Sequence, residues 1–98
     1  MAIIKPFQAK AVLEAMGEFP IDTVLVSEAK GYGRQKDLLP QYRGSEYNLV
    51  YLPKIEIRIL LPDELADVVI ERLVEVSRTG RIGDGKILVF PVIAEFDF

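Results

Sequence analysis

The sequence predicts an α+β domain, a ferredoxin-like β-α-β-β-α-β plait. In such a plait two helices cover one face of a four-stranded antiparallel sheet, and here a long loop separates the second and third strands. Three observations lead there. Strand-like runs open and close the chain and flank its middle; two stretches carry apolar residues at helical spacing; each helical stretch lies between two strand-like runs. Ninety-eight residues suit one domain spanning 1–98.

Ala2-Ile3-Ile4 is apolar and β-branched and reads as a short first strand. Pro6 then opens a helix, where a fixed φ and a missing N–H do no harm. From Gln8 to Glu18, Ala11, Val12, Ala15 and Met16 recur at helical spacing, with Lys10 and Glu14 outside; Gly17 and Pro20 close the helix. Ile21 to Lys30 reads as the second strand, with Val24 and Val26 on one face and Leu25 and Ser27 on the other. Lys54 to Leu61 alternates cleanly as the third. Pro62 and Asp63 start a second helix whose stripe is Leu65, Val68, Val69, Leu73 and Val76, with Asp63, Glu64, Asp67, Glu71 and Glu75 on the wet side. A glycine-rich turn over 79–86 leads to a last strand, Ile87 to Ala94, apolar at nearly every position. A strand apolar on both sides is buried on both sides, so the bare sheet face is expected to pack on further copies of the chain.

Composition excludes several chemistries. The chain has no cysteine and no histidine, which removes disulfides, thiolate or imidazole metal ligands, and histidine-based catalysis. A net charge of −3 argues against nucleic acid as the main partner. No apolar run approaches the roughly 20 residues of a membrane span, and no signal segment is read at the start, so the cytoplasm is the expected location.

Two glycine motifs and a long excursion carry the functional signal. Gly31 to Tyr51 is polar and glycine-punctuated, with its loop proper at about 33–51. Loops beyond about 12–15 residues are usually functional or disordered. Its first part, Gly31-Tyr32-Gly33-Arg34-Gln35-Lys36, sets two glycines beside cations; this is either a phosphate-closing segment or a flexible strand exit. Thr79-Gly80-Arg81-Ile82-Gly83-Asp84-Gly85-Lys86 gathers three glycines and two cations. Bare amide hydrogens there suit an anion, and a plain helix-to-strand turn suits the same residues. It is not a Walker A loop, because Ile87 stands where the Mg-binding Ser or Thr belongs and the helix precedes rather than follows. Tyr42-Arg43-Gly44-Ser45-Glu46-Tyr47 offers hydroxyls beside charge, a setting for covalent modification. Lys54 stands at the base of the loop.

Taken together, AIIKPF, KGYGRQK, YRGSEY, LPK and TGRIGDGKI, in this order and spacing, resemble the PII signal-transduction family over nearly the whole chain. The resemblance implies a homotrimer with nucleotide sites in the clefts between subunits, where ATP and ADP compete and 2-oxoglutarate joins Mg-ATP. It implies that Gly83, Asp84, Gly85 and Lys86 hold the phosphates. Gly33, Arg34 and Gln35 would close the site, Gln35 would help hold Mg2+, and Lys54 would pair with a carboxylate of 2-oxoglutarate. Tyr47 matches a tyrosine that some members modify, and Ser45 a serine that others phosphorylate. The long loop would then dock on ammonium channels, enzymes or regulators of nitrogen metabolism, without catalysis by this chain.

The sequence departs from the pattern at Asp97, where an arginine usually grips phosphate, at Leu25 in place of a threonine, at Arg58 in place of a glutamate, and in the unusually apolar Asp37-Leu38-Leu39-Pro40; the second phosphate-gripping arginine and the usual C-terminal tail are not found. Asp97 and the missing tail motivate an alternative, a divergent trimeric interaction module with weakened or lost nucleotide binding. An enzyme with an unrecognised site has only the loop's length in its favour.

Overall fold

In a computed structural model of the chain, residues 1–21, 23–34, 49–78, 80 and 85–98 are described. The elements follow in the order β1 (Ala2–Ile4), a 3-10 turn (Pro6–Gln8), α1 (Ala9–Met16), β2 (Thr23–Arg34), β3 (Leu49–Leu60), α2 (Asp63–Ser77) and β4 (Gly85–Ile87). The strands form one four-stranded sheet in the order β2-β3-β1-β4, antiparallel at every neighbour. This is the expected plait.

The core lies between the sheet and the helices. Ala2, Ile4 and Ile57 from the strands meet Val12, Ala15 and Met16 of α1 and Val69 and Leu73 of α2. Ile57 is fully enclosed because it sits at the crossing of the two ladders, opposite Ala2 on one side and Val26 on the other. Alternation then sends Ile3, Leu25, Ser27, Ala29, Lys54, Glu56, Arg58, Leu60 and Lys86 to the opposite face. No helix covers that face among the described residues, and Leu25 and Leu60 are exposed on it.

Two contacts set the helices in place. Gln8 is buried; its Oε1 accepts from the Lys5 amide and its Nε2 donates to the Ser77 carbonyl, tying the start of the first helical segment to the end of α2. At the surface, Arg72 of α2 forks onto Glu18 with bonds of 2.9 and 3.1 Å. The helical stripes are narrower than the sequence suggests: Ala11 is exposed, and so is Val68, which rides the shoulder of α2 rather than its buried row.

The structure corrects the sequence reading at three places. The second strand does not stop at Lys30. The β2–β3 ladder runs from Thr23↔Leu60 to Arg34↔Leu49, so residues 31–34 and 49–51 are paired strand rather than loop. Their tyrosines, leucine and valine favour extended backbone, and pairing outweighs the two glycines. Pro53 lies within the ladder opposite Lys30, beyond the reach of β1, where a missing N–H costs no second ladder its bond. Second, Gly85 and Lys86 are strand, not turn, and Ile87 is the last residue of β4 instead of the first of a long strand. The partner strand explains this. β1 offers three residues, Met1 adds one more pair through mutual 2.8 Å bonds with Leu88, and from Val89 on no described strand lies alongside. Third, glycine just past a helix is the ordinary C-cap, the role that the turn reading of this segment gives Gly80, but α2 ends at Ser77 with Arg78 as its extended cap residue. Gly80 does take φ +84°, a left-handed turn position that favours glycine.

Candidate functional site

The register of the sheet decides which candidate residues meet. Lys86 is opposite Ile3, Ile3 is opposite Glu56, and Glu56 is opposite Ser27. These four form one row across all four strands, on the face away from the helices. Lys54 lies two residues further along β3 on that same face, opposite Ala29. Two strand spacings and two residues of rise put the Cα atoms of Lys86 and Lys54 about 12 Å apart. Two lysines far apart in sequence therefore flank one patch, at a span a polyphosphate or a dicarboxylate can bridge.

A glycine lies beside each of these lysines, Gly31 on the open face near Lys54 and Gly85 on the helix side of the sheet next to Lys86. A Cβ built at Gly85 falls 3.1 Å from the Ile3 carbonyl oxygen, so a larger residue would press β4 away from β1 by a few tenths of an ångström where the glycine-rich segment ends. A Cβ at Gly31 meets Cγ of Lys54 at 3.3 Å. The aliphatic stem of Lys54 thus lies along the bare backbone of Gly31, half-buried, as long basic side chains do when they cover backbone and keep the ammonium outward.

Glu56 breaks the row of cations. Its Oε1 accepts from Nε of Arg58 at 3.2 Å, on the same face. This ion pair was not singled out in the sequence, although the alternation Lys54-Glu56-Arg58 placed all three on one face. The pair leaves Arg58 turned toward a carboxylate, and the patch then depends on Lys54 and Lys86 for its positive ends. The Met1 ammonium, next to the row, is held below its ordinary pKa by burial, an effect that the Glu56 carboxylate opposes.

The remaining candidates divide in two. Gly33 and Arg34 close the β2–β3 ladder, opposite Val50 and Leu49, four and five residues beyond Ala29 along β2. They stand on the projecting ribbon, not beside Lys86. Gln35, Ser45, Tyr47, Gly83 and Asp84 lie outside the described residues. The patch suits anionic groups by its two ends: exposed Lys86 at one and Lys54 lying over Gly31 at the other, with Ile3 and the Arg58-paired Glu56 between them. For Mg2+ the donors are different. Among the described residues no group of three or more acidic side chains is placed to hold a metal ion.

Fold and patch together define a small ferredoxin-like domain that sets cations on its open face at the root of a projecting two-stranded arm. A family profile described as Nitrogen regulatory protein P-II matches residues 1–94. Among its relatives, Nitrogen regulatory protein P-II 1 of Escherichia coli strain K12 is 47% identical over 91 residues, covering 93% of this chain and 81% of the relative. Nitrogen regulatory protein P-II of Azospirillum brasilense is 50% identical, and that of Haemophilus influenzae 44% identical, over the same lengths. The chain belongs to the nitrogen regulatory protein P-II family.

Proposed function

We propose that this protein reports nitrogen, carbon and energy status by binding ATP or ADP and, together with Mg-ATP, 2-oxoglutarate. The ligands would sit where the open sheet face of one subunit meets the next in a homotrimer. One observation carries the reading: Lys86, at the end of the glycine-rich segment, and Lys54, at the root of the arm, share one face at a spacing matched to anionic ligands. Gly83, Asp84, Gly85 and Lys86 hold phosphates in this account, Gly33, Arg34 and Gln35 close over them, and Lys54 takes a carboxylate of 2-oxoglutarate.

The arm supplies the output. Beyond the end of β1 the β2–β3 ribbon continues as two strands, and a two-stranded ribbon alone is marginally stable in water. An anion bound at its root that favours one arrangement of the arm shifts the population by its difference in affinity. Residues 35–48, which join the two strands, then engage or release targets such as an ammonium channel or an enzyme of nitrogen metabolism. Ser45 and Tyr47 in that connection are the positions for covalent modification.

Titration calorimetry of the assembled protein with ATP, ADP, and Mg-ATP plus 2-oxoglutarate tests the sensing role. Saturable heats are expected, together with a loss of affinity of about 10- to 100-fold for Lys86→Ala, the scale of one charge-assisted hydrogen bond. Absence of heat from every nucleotide with folded protein overturns the nucleotide reading. It would leave a constitutive interaction module, whose partner binding Lys86→Ala does not change.

A further inference from the structure

One row of α2 ends on a polar residue. Ile70, Leu73, Val74 and Ser77 stand at i, i+3, i+4 and i+7, a single helix face. Three of the four are aliphatic, and the fourth carries a hydroxyl whose Oγ is buried and has no hydrogen-bond partner among the described residues. A buried hydroxyl without a partner destabilises a fold, so a serine at this place in an apolar row is not a packing choice. The same four residues form one wall of a cavity of about 320 Å3 on the helix side of the sheet. Ala2 and Ile4 of β1 and Ile87 of β4 form the facing wall. Gly85 belongs to that wall too: it lies opposite Ile4, and the Cβ it lacks would stand 3.5 Å from Cγ2 of that isoleucine. A cavity of roughly half this volume takes a benzene ring. The space is separate from the lysine patch, which lies on the other face of the sheet.

We propose that this cavity binds a medium-chain aliphatic carboxylate, with its tail between α2 and β4 and its head at Ser77 and Arg78. The charge of the wall selects the head. No aspartate or glutamate lines the cavity, whereas Arg78 and Lys86 do, and of these two Lys86 turns its side chain to the open face. α2 ends at Ser77 and Arg78 leaves it in extended geometry as an exposed residue of an otherwise apolar wall. Arg72 of the same helix is engaged by Glu18 and Glu75, but no ion pair engages Arg78 among the described residues. The Ser77 hydroxyl and the Arg78 guanidinium can both donate to one carboxylate, in charge-assisted bonds of the stronger kind. The C-terminal end of a helix opposes an anion, yet here the Val74 carbonyl already accepts from the Arg78 amide and the Ser77 carbonyl from Nε2 of Gln8, which weakens that opposition. The aliphatic walls select the tail. Ile4, Ile70, Leu73, Val74 and Ile87 offer it hydrocarbon alone, and each methylene buried there strengthens binding about fourfold. This inference does not rest on nucleotide binding.

Octanoate is the probe, with octanol and propionate as controls that keep only the tail or only the head. In methyl NMR titrations of the full chain, octanoate is expected to saturate and to shift the signals of Ile4, Ile70, Val74 and Ile87, which line the cavity. Octanol and propionate are each expected to bind about tenfold more weakly or worse. Arg78→Gln, a substitution at an exposed position, is expected to lower octanoate affinity about tenfold and to leave octanol affinity unchanged. Ser77→Ala gives a second reading, because it removes the hydroxyl without a partner. It is expected to weaken octanoate several-fold while its urea midpoint equals or exceeds that of the parent. A serine kept for structure alone would do the reverse, losing stability and keeping the ligand. Octanol bound as tightly as octanoate, octanoate affinity unchanged in Arg78→Gln or in Ser77→Ala, and shifts confined to methyl groups outside the cavity each overturn the proposal. The absence of any shift with octanoate overturns it as well.

Discussion

Gly85 and Gly31 look interchangeable as glycines of one sheet, yet their neighbours give them different consequences. At Gly85 the atom a methyl group would strike is the Ile3 carbonyl oxygen, part of the backbone ladder that holds β4. Relief requires one strand to move from the other, and overpacking of this kind costs about 1–3 kcal/mol. At Gly31 the atom struck is Cγ of Lys54, in the middle of a flexible side chain. Gly85→Ala is therefore expected to lower the urea midpoint clearly, and Gly31→Ala to leave it within roughly 0.5 kcal/mol of the parent while displacing the lysine. A Gly31→Ala loss as large as that of Gly85→Ala contradicts this assignment. Lys54 and Lys86 also separate by role. Lys54→Ala is expected to weaken 2-oxoglutarate binding in the presence of Mg-ATP about tenfold or more, with ADP binding nearly unchanged; Lys86→Ala weakens both. Calorimetric titration of the two variants side by side distinguishes them.

Among the elements, the helices are fastened to the sheet and to each other by one buried amide and one surface fork. Gln8 satisfies the Lys5 amide and the Ser77 carbonyl, two backbone groups at opposite ends of the helical layer. Arg72 joins α2 to the turn after α1 through Glu18, and its Nη1 also donates to Glu75 at 3.0 Å. The hydrogen bond from Arg72 holds the Glu18 carboxyl below its ordinary value of 4.5. A carboxylate with a lowered folded-state pKa stabilises the fold above its unfolded value, and that contribution disappears as pH falls through the lowered one. The stability difference between the parent and Arg72→Ala is thus expected to be constant near neutrality and to shrink below pH 4.5, as urea midpoints at neutral and strongly acidic pH will show. The difference itself is small, because both partners face water. A gap between the two proteins that persists unchanged into acid contradicts the clip. The strand ends obey the same local logic. β4 is short because β1 gives it three partners, whereas β2 and β3 run for 12 residues each because they pair with one another throughout.

For the whole molecule, the consequence is a division between a covered and an open face. The helices bury Ala2, Ile4 and Ile57, and the opposite face presents the lysines, the Glu56–Arg58 pair and the exposed Leu25 and Leu60. A face that combines apolar groups with charge suits contact with another subunit at which an anion is shared, as the proposed trimer requires.

Much of this was legible in the chain itself. Helical spacing placed Val12, Ala15, Met16, Val69 and Leu73 in the core, alternation placed Lys54, Glu56 and Arg58 on one face, and the glycine motifs marked where side chains give way to backbone. These are local properties, fixed by the periods of helix and strand and by the absence of a Cβ. Pairing is not local. Nothing within residues 31–34 says that 49–52 lie alongside, and nothing within 88–94 says that a partner strand is lacking, so the arm was read too short in strand and the last strand too long. Sequence by itself determined the class of fold and the family; only the tertiary structure decided that Lys86 and Lys54 share a patch and that β2 and β3 stay paired as far as Arg34 and Leu49. Ladder hydrogen bonds form between two strands at once, and either strand alone does not specify where they end.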